Sequence, residues 1–131
     1  MSSKNEDQIR ALKKKARADL SDVELLLENG TAESTINRAY YAVFQAARAA
    51  PQTEGESPNT HSGVIRRFGY HFVRTGQVSD EIGGILTSAW SMRGEADYDA
   101  FSDLSKEEAA ELVEKARRFI EAVEKHILSS R

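Results

Sequence analysis

Residues 31–50, TAESTINRAYYAVFQAARAA, decide the fold. Ile36, Ala39, Tyr40, Ala42, Val43, Phe44, Ala46 and Ala47 make this stretch apolar over most of a helical circumference, and a helix apolar nearly all round must be enclosed by protein. The stretch predicts a helix capped by Thr31 and running to about Ala50, just before Pro51. Its exceptions, Arg38, Tyr41, Gln45 and Arg48, step by 3, 4 and 3 and therefore share one face, which holds two arginines and no acid. A central helix of this kind needs amphipathic helices around it, and the flanking sequence supplies them.

On the N-terminal side, Ile9, Leu12, Ala16, Leu20, Val23 and Leu27 form one apolar stripe that ends at Asn29-Gly30, predicting a helix over about 5–29. On the C-terminal side, PQTEGESPNT (51–60) holds both prolines of the chain and reads as a surface loop. Thr60 then caps a third helix, with His61, Ile65, Phe68 and Phe72 on one face, Arg67, His71 and Arg74 on another, and Gly76 near its end. Ser79 or Asp80 opens a fourth, with Ile82, Ile85, Leu86, Ala89 and Met92 inside, running out near Arg93-Gly94; Gly83-Gly84 would permit a close helix contact there. Ser105 and Glu108 form the capping box of a last helix, whose core stripe is Leu112, Ala116, Phe119, Val123 and Ile127. No stretch alternates with period two. The expectation is an all-α fold, an antiparallel up-and-down bundle of four principal helices plus a shorter fifth, in a single domain over 1–131.

Composition excludes several kinds of chemistry. The 131 residues contain no cysteine, so disulfides, thiolate zinc sites, iron–sulfur clusters and cysteine nucleophiles are ruled out. The polar start MSSKNEDQIR lacks the apolar stretch of a secretory signal, and no segment approaches the roughly 18–20 apolar residues of a membrane span, so a cytoplasmic protein without a membrane partner is expected. The net charge of −3 hides a segregation: residues 61–76 carry three arginines and no acid, whereas 77–104 carry one arginine and six acids. Phosphate loops, dinucleotide fingerprints, HExxH and EF-hand motifs are absent, and the spacing of His61, His71 and His126 does not make a metal site, so no cofactor or metal is expected.

Two polar constellations remain. In Asn37-Arg38-Ala39-Tyr40-Tyr41-Ala42 the rings can simply pack and Arg38 reach outward, or the arginine fork and a neighbouring tyrosine can hold an anion or nucleotide. In Arg93-Gly-Glu-Ala-Asp97-Tyr98-Asp99 the acids can be a solvated turn, or Asp97 can pair with Arg38 or Arg48 from the second helix.

The segments STINRAYYAVFQAARAA, THSGVIRRFGYHFVRTG and RGEADYDA, in this order and across essentially the whole chain, resemble one branch of the HEPN (higher eukaryotes and prokaryotes nucleotide-binding) domain family. The resemblance implies a helical, usually homodimeric protein, often encoded beside a minimal nucleotidyltransferase in prokaryotic toxin–antitoxin or defence systems. Many relatives are metal-independent ribonucleases with an Arg-x4–6-His motif before the last helix. Here Arg93 is followed after four residues by Tyr98, so the histidine is replaced and enzyme activity is left open; a tyrosine is a poor base at neutral pH. In some relatives the partner enzyme modifies a tyrosine near this motif, and Tyr98 is the matching position. Arg66-x4-His71 has the motif's spacing too, but inside a helix.

The leading expectation is therefore a nucleotide- or RNA-related component of a two-component system. Arg38, Tyr41 and Arg93 would contact nucleotide or phosphate, Asp97 would orient an arginine, and Tyr98 would hydrogen-bond or be modified. The alternatives are a metal-independent ribonuclease using His61 or His71, and a noncatalytic helical assembly module.

Overall fold

A computed structural model describes residues 3–98 and 103–129; of Ser3, Asp97 and Tyr98 it describes the backbone alone. The elements are α1 (Ser3–Asn29), α2 (Ala32–Gln52), α3 (His61–Phe68) with a π-helical turn (Gly69–Val73), α4 (Asp80–Tyr98) and α5 (Lys106–His126). The fold is all-α, and the described residues form no strand. None of their helices is long and apolar enough to cross a membrane.

Capping chemistry sets the helix starts where the sequence places them. Thr31 accepts from the Ser34 N–H and Thr60 from the Gly63 N–H, and Ser105 with Glu108 forms the reciprocal capping box of α5. The Ser79 hydroxyl accepts from the Ile82 N–H and opens α4.

Helix α2 is the centre of the structure and packs against α1, α3, α4 and α5. Ile36, Ala39, Tyr40, Ala42, Val43 and Ala47 are fully buried, joined by Ile9, Ala16, Leu20 and Val23 from α1 and by Leu112, Ala116, Phe119 and Val123 from α5. Leu12 and Leu27, the other members of the first stripe, are partly buried against this core. Alanines at 39, 42, 46, 47, 49 and 50 let neighbouring backbones approach α2, while Ile36, Tyr40, Val43 and Phe44 fill the core together with large side chains from the surrounding helices.

Three boundaries differ from the sequence reading. First, α2 continues through Pro51 to Gln52, because a proline in the last turn forfeits one backbone bond while burial of Pro51 and Gln52 holds the turn in place. Second, the third helix widens after Phe68: Arg74 N–H donates to the Gly69 carbonyl at 2.9 Å, an i→i+5 bond, before Gly76 at φ 78° ends the segment. Third, α4 does not stop near Arg93-Gly94 but carries on to Tyr98, so positions 97 and 98 end a helix rather than lie in a turn. One glycine or isolated polar residues are a weak stop signal when the helix is held by packing. Of the glycine pair, Gly83 makes the close approach: a Cβ there would stand 2.6 Å from a Val73 methyl, whereas one at Gly84 would meet nothing within 4 Å.

Candidate functional site

Helices α2, α3 and α4 meet around an aromatic cluster with a cation on it. Tyr40, Tyr41 and Phe44 come from one face of α2, the i, i+4 pair Tyr40 and Phe44 stacking at 5.6 Å. His61 is the first residue of α3, placed there by the Thr60 cap. Trp90 and Arg93 stand three apart on α4 and so share a face.

His61 lies between two rings, 4.6 Å from Phe44 and 4.6 Å from Trp90, stacked on the latter at 22°. Its Nδ1 is 2.5 Å from the hydroxyl of fully buried Tyr40. The Arg93 guanidinium sits 5.4 Å from the Trp90 ring centre, 5.7 Å from Tyr41 and 5.9 Å from Tyr40, within cation–π range of each. Arg93 also donates to the Tyr41 hydroxyl at 3.3 Å.

Burial pushes the Tyr40 hydroxyl well above its ordinary value, so it stays protonated. No other described residue accepts from it, and the satisfied arrangement has Tyr40 O–H donating to His61 Nδ1. Burial, then the positive charge of Arg93, hold the imidazole below its usual value, so it is neutral at pH 7 with its proton on Nε2. Arg93 and the His61 Nε2–H are thus both donors beside a half-exposed indole. This chemistry suits an anionic group next to a planar ring.

Arg38 lies elsewhere on α2 and is held loosely by α1, with Asp19 at 3.5 Å and Asp22 at 3.6 Å. It lines an open pocket of about 290 Å³ with Lys15, Asp19, Asn37, Tyr41 and Gln45. The polar face Arg38, Tyr41, Gln45 and Arg48 is therefore not a solvated stripe: Gln45 is buried, and Tyr41 connects this pocket to Arg93.

His71 belongs to a different cluster. Glu56 lies 3.1 Å from its Nε2 and Glu54 3.8 Å from its Nδ1. Arg67 clamps Glu56 with two bonds of 2.8 and 2.7 Å and reaches the His71 ring at 3.2 Å. The arginine beside His71 is thus Arg67, one helical turn away, and not Arg66 of the Arg-x4-His spacing. Arg67 first, then His71, hold the Glu56 carboxyl down at about 2. Among the described residues no group of three or more His, Asp or Glu side chains could hold a metal ion.

The structure thus brings together Tyr41, Arg93 and His61, places Arg38 in the adjoining pocket, and sets His71 apart. The proposed pairing of Asp97 with Arg38 or Arg48, and the role of the Tyr98 side chain, lie outside the described residues. Sequence reasoning missed Tyr40, Phe44 and Trp90 as members of the site. The one available signal was spacing: Trp90 stands three before Arg93, and Phe44 four after Tyr40.

A protein-family model described as "HEPN domain" matches residues 9–126. Putative toxin MJ0605 of Methanocaldococcus jannaschii is 34% identical over 119 residues, which cover 91% of this chain and 88% of that protein. A UPF0332 protein of Thermotoga maritima is 36% identical over 115 residues, covering 88% and 87%. Putative toxin MJ0142 of Methanocaldococcus jannaschii is 30% identical over 122 residues, covering 93% and 83%.

Proposed function

The chain belongs to the HEPN domain family, and from that premise we propose that it is a toxin-like, RNA- or nucleotide-binding component of a prokaryotic two-component system, working as one HEPN-like domain over 1–131. One observation carries this reading: the Arg93 guanidinium and the His61 imidazole lie together beside the partly exposed Trp90 ring, offering donors to a phosphate and a stacking face to a base. Tyr41 orients Arg93 through its hydroxyl. The names of the relatives support the toxin-like part. The resemblance adds a homodimer and a minimal nucleotidyltransferase partner, with Tyr98 as the residue such a partner would modify.

Titration of a single-stranded RNA oligomer tests the binding. Arg93→Ala is expected to weaken it about tenfold, the scale of one charge-assisted contact, and Trp90→Ala by a comparable factor. Affinities unchanged by both variants, with nucleotidyltransferase association lost instead, would establish the assembly-module reading.

The proximity of His61 to Arg93 favours a second reading, cleavage of RNA without a metal, even though position 98 is tyrosine. Since Nδ1 accepts from Tyr40, the neutral imidazole would not act as the base but would stabilise the reacting phosphate by a hydrogen bond from Nε2–H, giving up no proton. Incubating the purified protein with varied RNAs decides it. Cleavage abolished by His61→Ala and retained in His71→Ala supports this reading, and absence of cleavage refutes it.

A further inference from the structure

The pocket between α1 and α2 contains a defect that the fold does not explain. Gln45 is only 6% exposed, and its Oε1 is buried without a hydrogen-bond partner. A buried amide left unpaired costs stability, and an apolar residue of the same shape would avoid that cost. Gln45 lines the pocket, and a turn of its buried amide toward a donor seated there would satisfy it.

The other walls specify that visitor. Lys15 and Arg38 supply two positive charges. Arg38 stands at 3.5 and 3.6 Å from its two carboxylates, long for charge-assisted hydrogen bonds, so its fork can take a further acceptor. Asp19, 7% exposed, is an acceptor at the same wall, and burial pushes its carboxyl above the ordinary range against the pull of Arg38 and Lys15. Tyr41 accepts from Arg93, and its own proton is committed to no acceptor among the described residues. The pocket thus sets cations for an anion beside acceptors for neutral donors. At about 290 Å³ it lies just under the roughly 300–1,000 Å³ of drug-sized ligand sites, which suits a single sugar better than a dinucleotide.

We propose that this pocket binds a small phosphorylated polyol of pentose-phosphate size, its phosphate on Lys15 and Arg38 and its hydroxyls on Asp19 and the Gln45 amide. The site is separate from the Arg93 cluster and does not rest on the RNA-binding reading, although Tyr41 borders both.

The probe is ribose 5-phosphate, titrated into the full chain by NMR and calorimetry beside inorganic phosphate and ribose. Saturable binding with shifts at residues 15, 19, 38, 41 and 45 is expected, at least tenfold tighter than either comparator. Gln45→Leu is expected to raise Tm while weakening ribose 5-phosphate about tenfold and leaving phosphate unchanged. Lys15→Gln, an exposed change that does not endanger folding, is expected to weaken both ribose 5-phosphate and phosphate several-fold. The proposal is overturned if ribose 5-phosphate does not saturate, if phosphate alone binds as well, or if Gln45→Leu keeps full affinity for the sugar.

Discussion

His61 and His71 lie ten residues apart on one helical segment, each beside an arginine, yet their surroundings are opposite in kind. His61 is wedged between Phe44 and Trp90, accepts a hydrogen bond from the hydroxyl of buried Tyr40 and has a cation for a neighbour. His71 faces two glutamates from the 53–60 loop, and its arginine is already clamped onto one of them. The first cluster is built on helices and includes a core ring, so its geometry is fixed by packing and its donors lie beside a partly exposed indole. The second ties a loop to a helix with charges that satisfy one another. The contrast teaches that the surroundings of a histidine–arginine pair, aromatic in one case and acidic in the other, decide its character, and spacing alone cannot tell the two cases apart.

The largest expected break is on the aromatic side. Tyr40→Ala empties a fully buried ring position and is expected to cost about 3–5 kcal/mol in denaturant unfolding, with loss of the His61 geometry. Gly83→Ala reaches the other cluster through the π-helical turn, because the new methyl meets Val73; a cost of about 1–3 kcal/mol is expected, and His71 NMR signals should shift while those of His61 stay. Tyr40→Phe keeps the ring and removes only the bond to His61, which is expected to cost about 1 kcal/mol.

Acid titration of stability separates the clusters by pH. The imidazole of His61 is held below its usual 6.5, so the unfolded chain binds a proton that the folded chain refuses; stability should fall as pH drops from 6.5 through the folded value, and His61→Gln should flatten that window. Glu56, held at about 2 against an ordinary 4.5, contributes stability above 4.5 that is lost as pH falls toward 2, and Glu56→Gln should remove this lower window. Because the Glu56–Arg67 pair is partly exposed and screened by solvent, its loss at neutral pH should change stability little. A wild-type curve without two successive acid windows would erase the distinction between the clusters.

Much of the helical framework is legible from local chemistry. Thr31, Thr60 and the Ser105–Glu108 box announce their helices because a cap needs only the residues within one turn. The stripes of α1 and α5 are equally readable, since each faces a single core. What escaped depends on contacts between elements. The end of α4 could not be read at Gly94 because tertiary packing, rather than propensity, carries the helix to Tyr98. The π-helical turn left only the permissive Gly69 as a trace. In the site, Arg93, Tyr41 and His61 could be singled out by residue type, but their assembly around Trp90 requires knowing how α4 lies on α2. Arg38 met Asp19 and Asp22 for the same reason: its partners are in another helix, 16 and 19 positions away in sequence.

Trp90 is the chain's single tryptophan, and folding has stacked it on the imidazole of the candidate site with part of its indole open to water. The protein therefore carries its own optical reporter at the one place where occupancy matters most. A ligand covering the ring, or a proton arriving on His61, changes the emission of this chromophore with no other indole to dilute the signal.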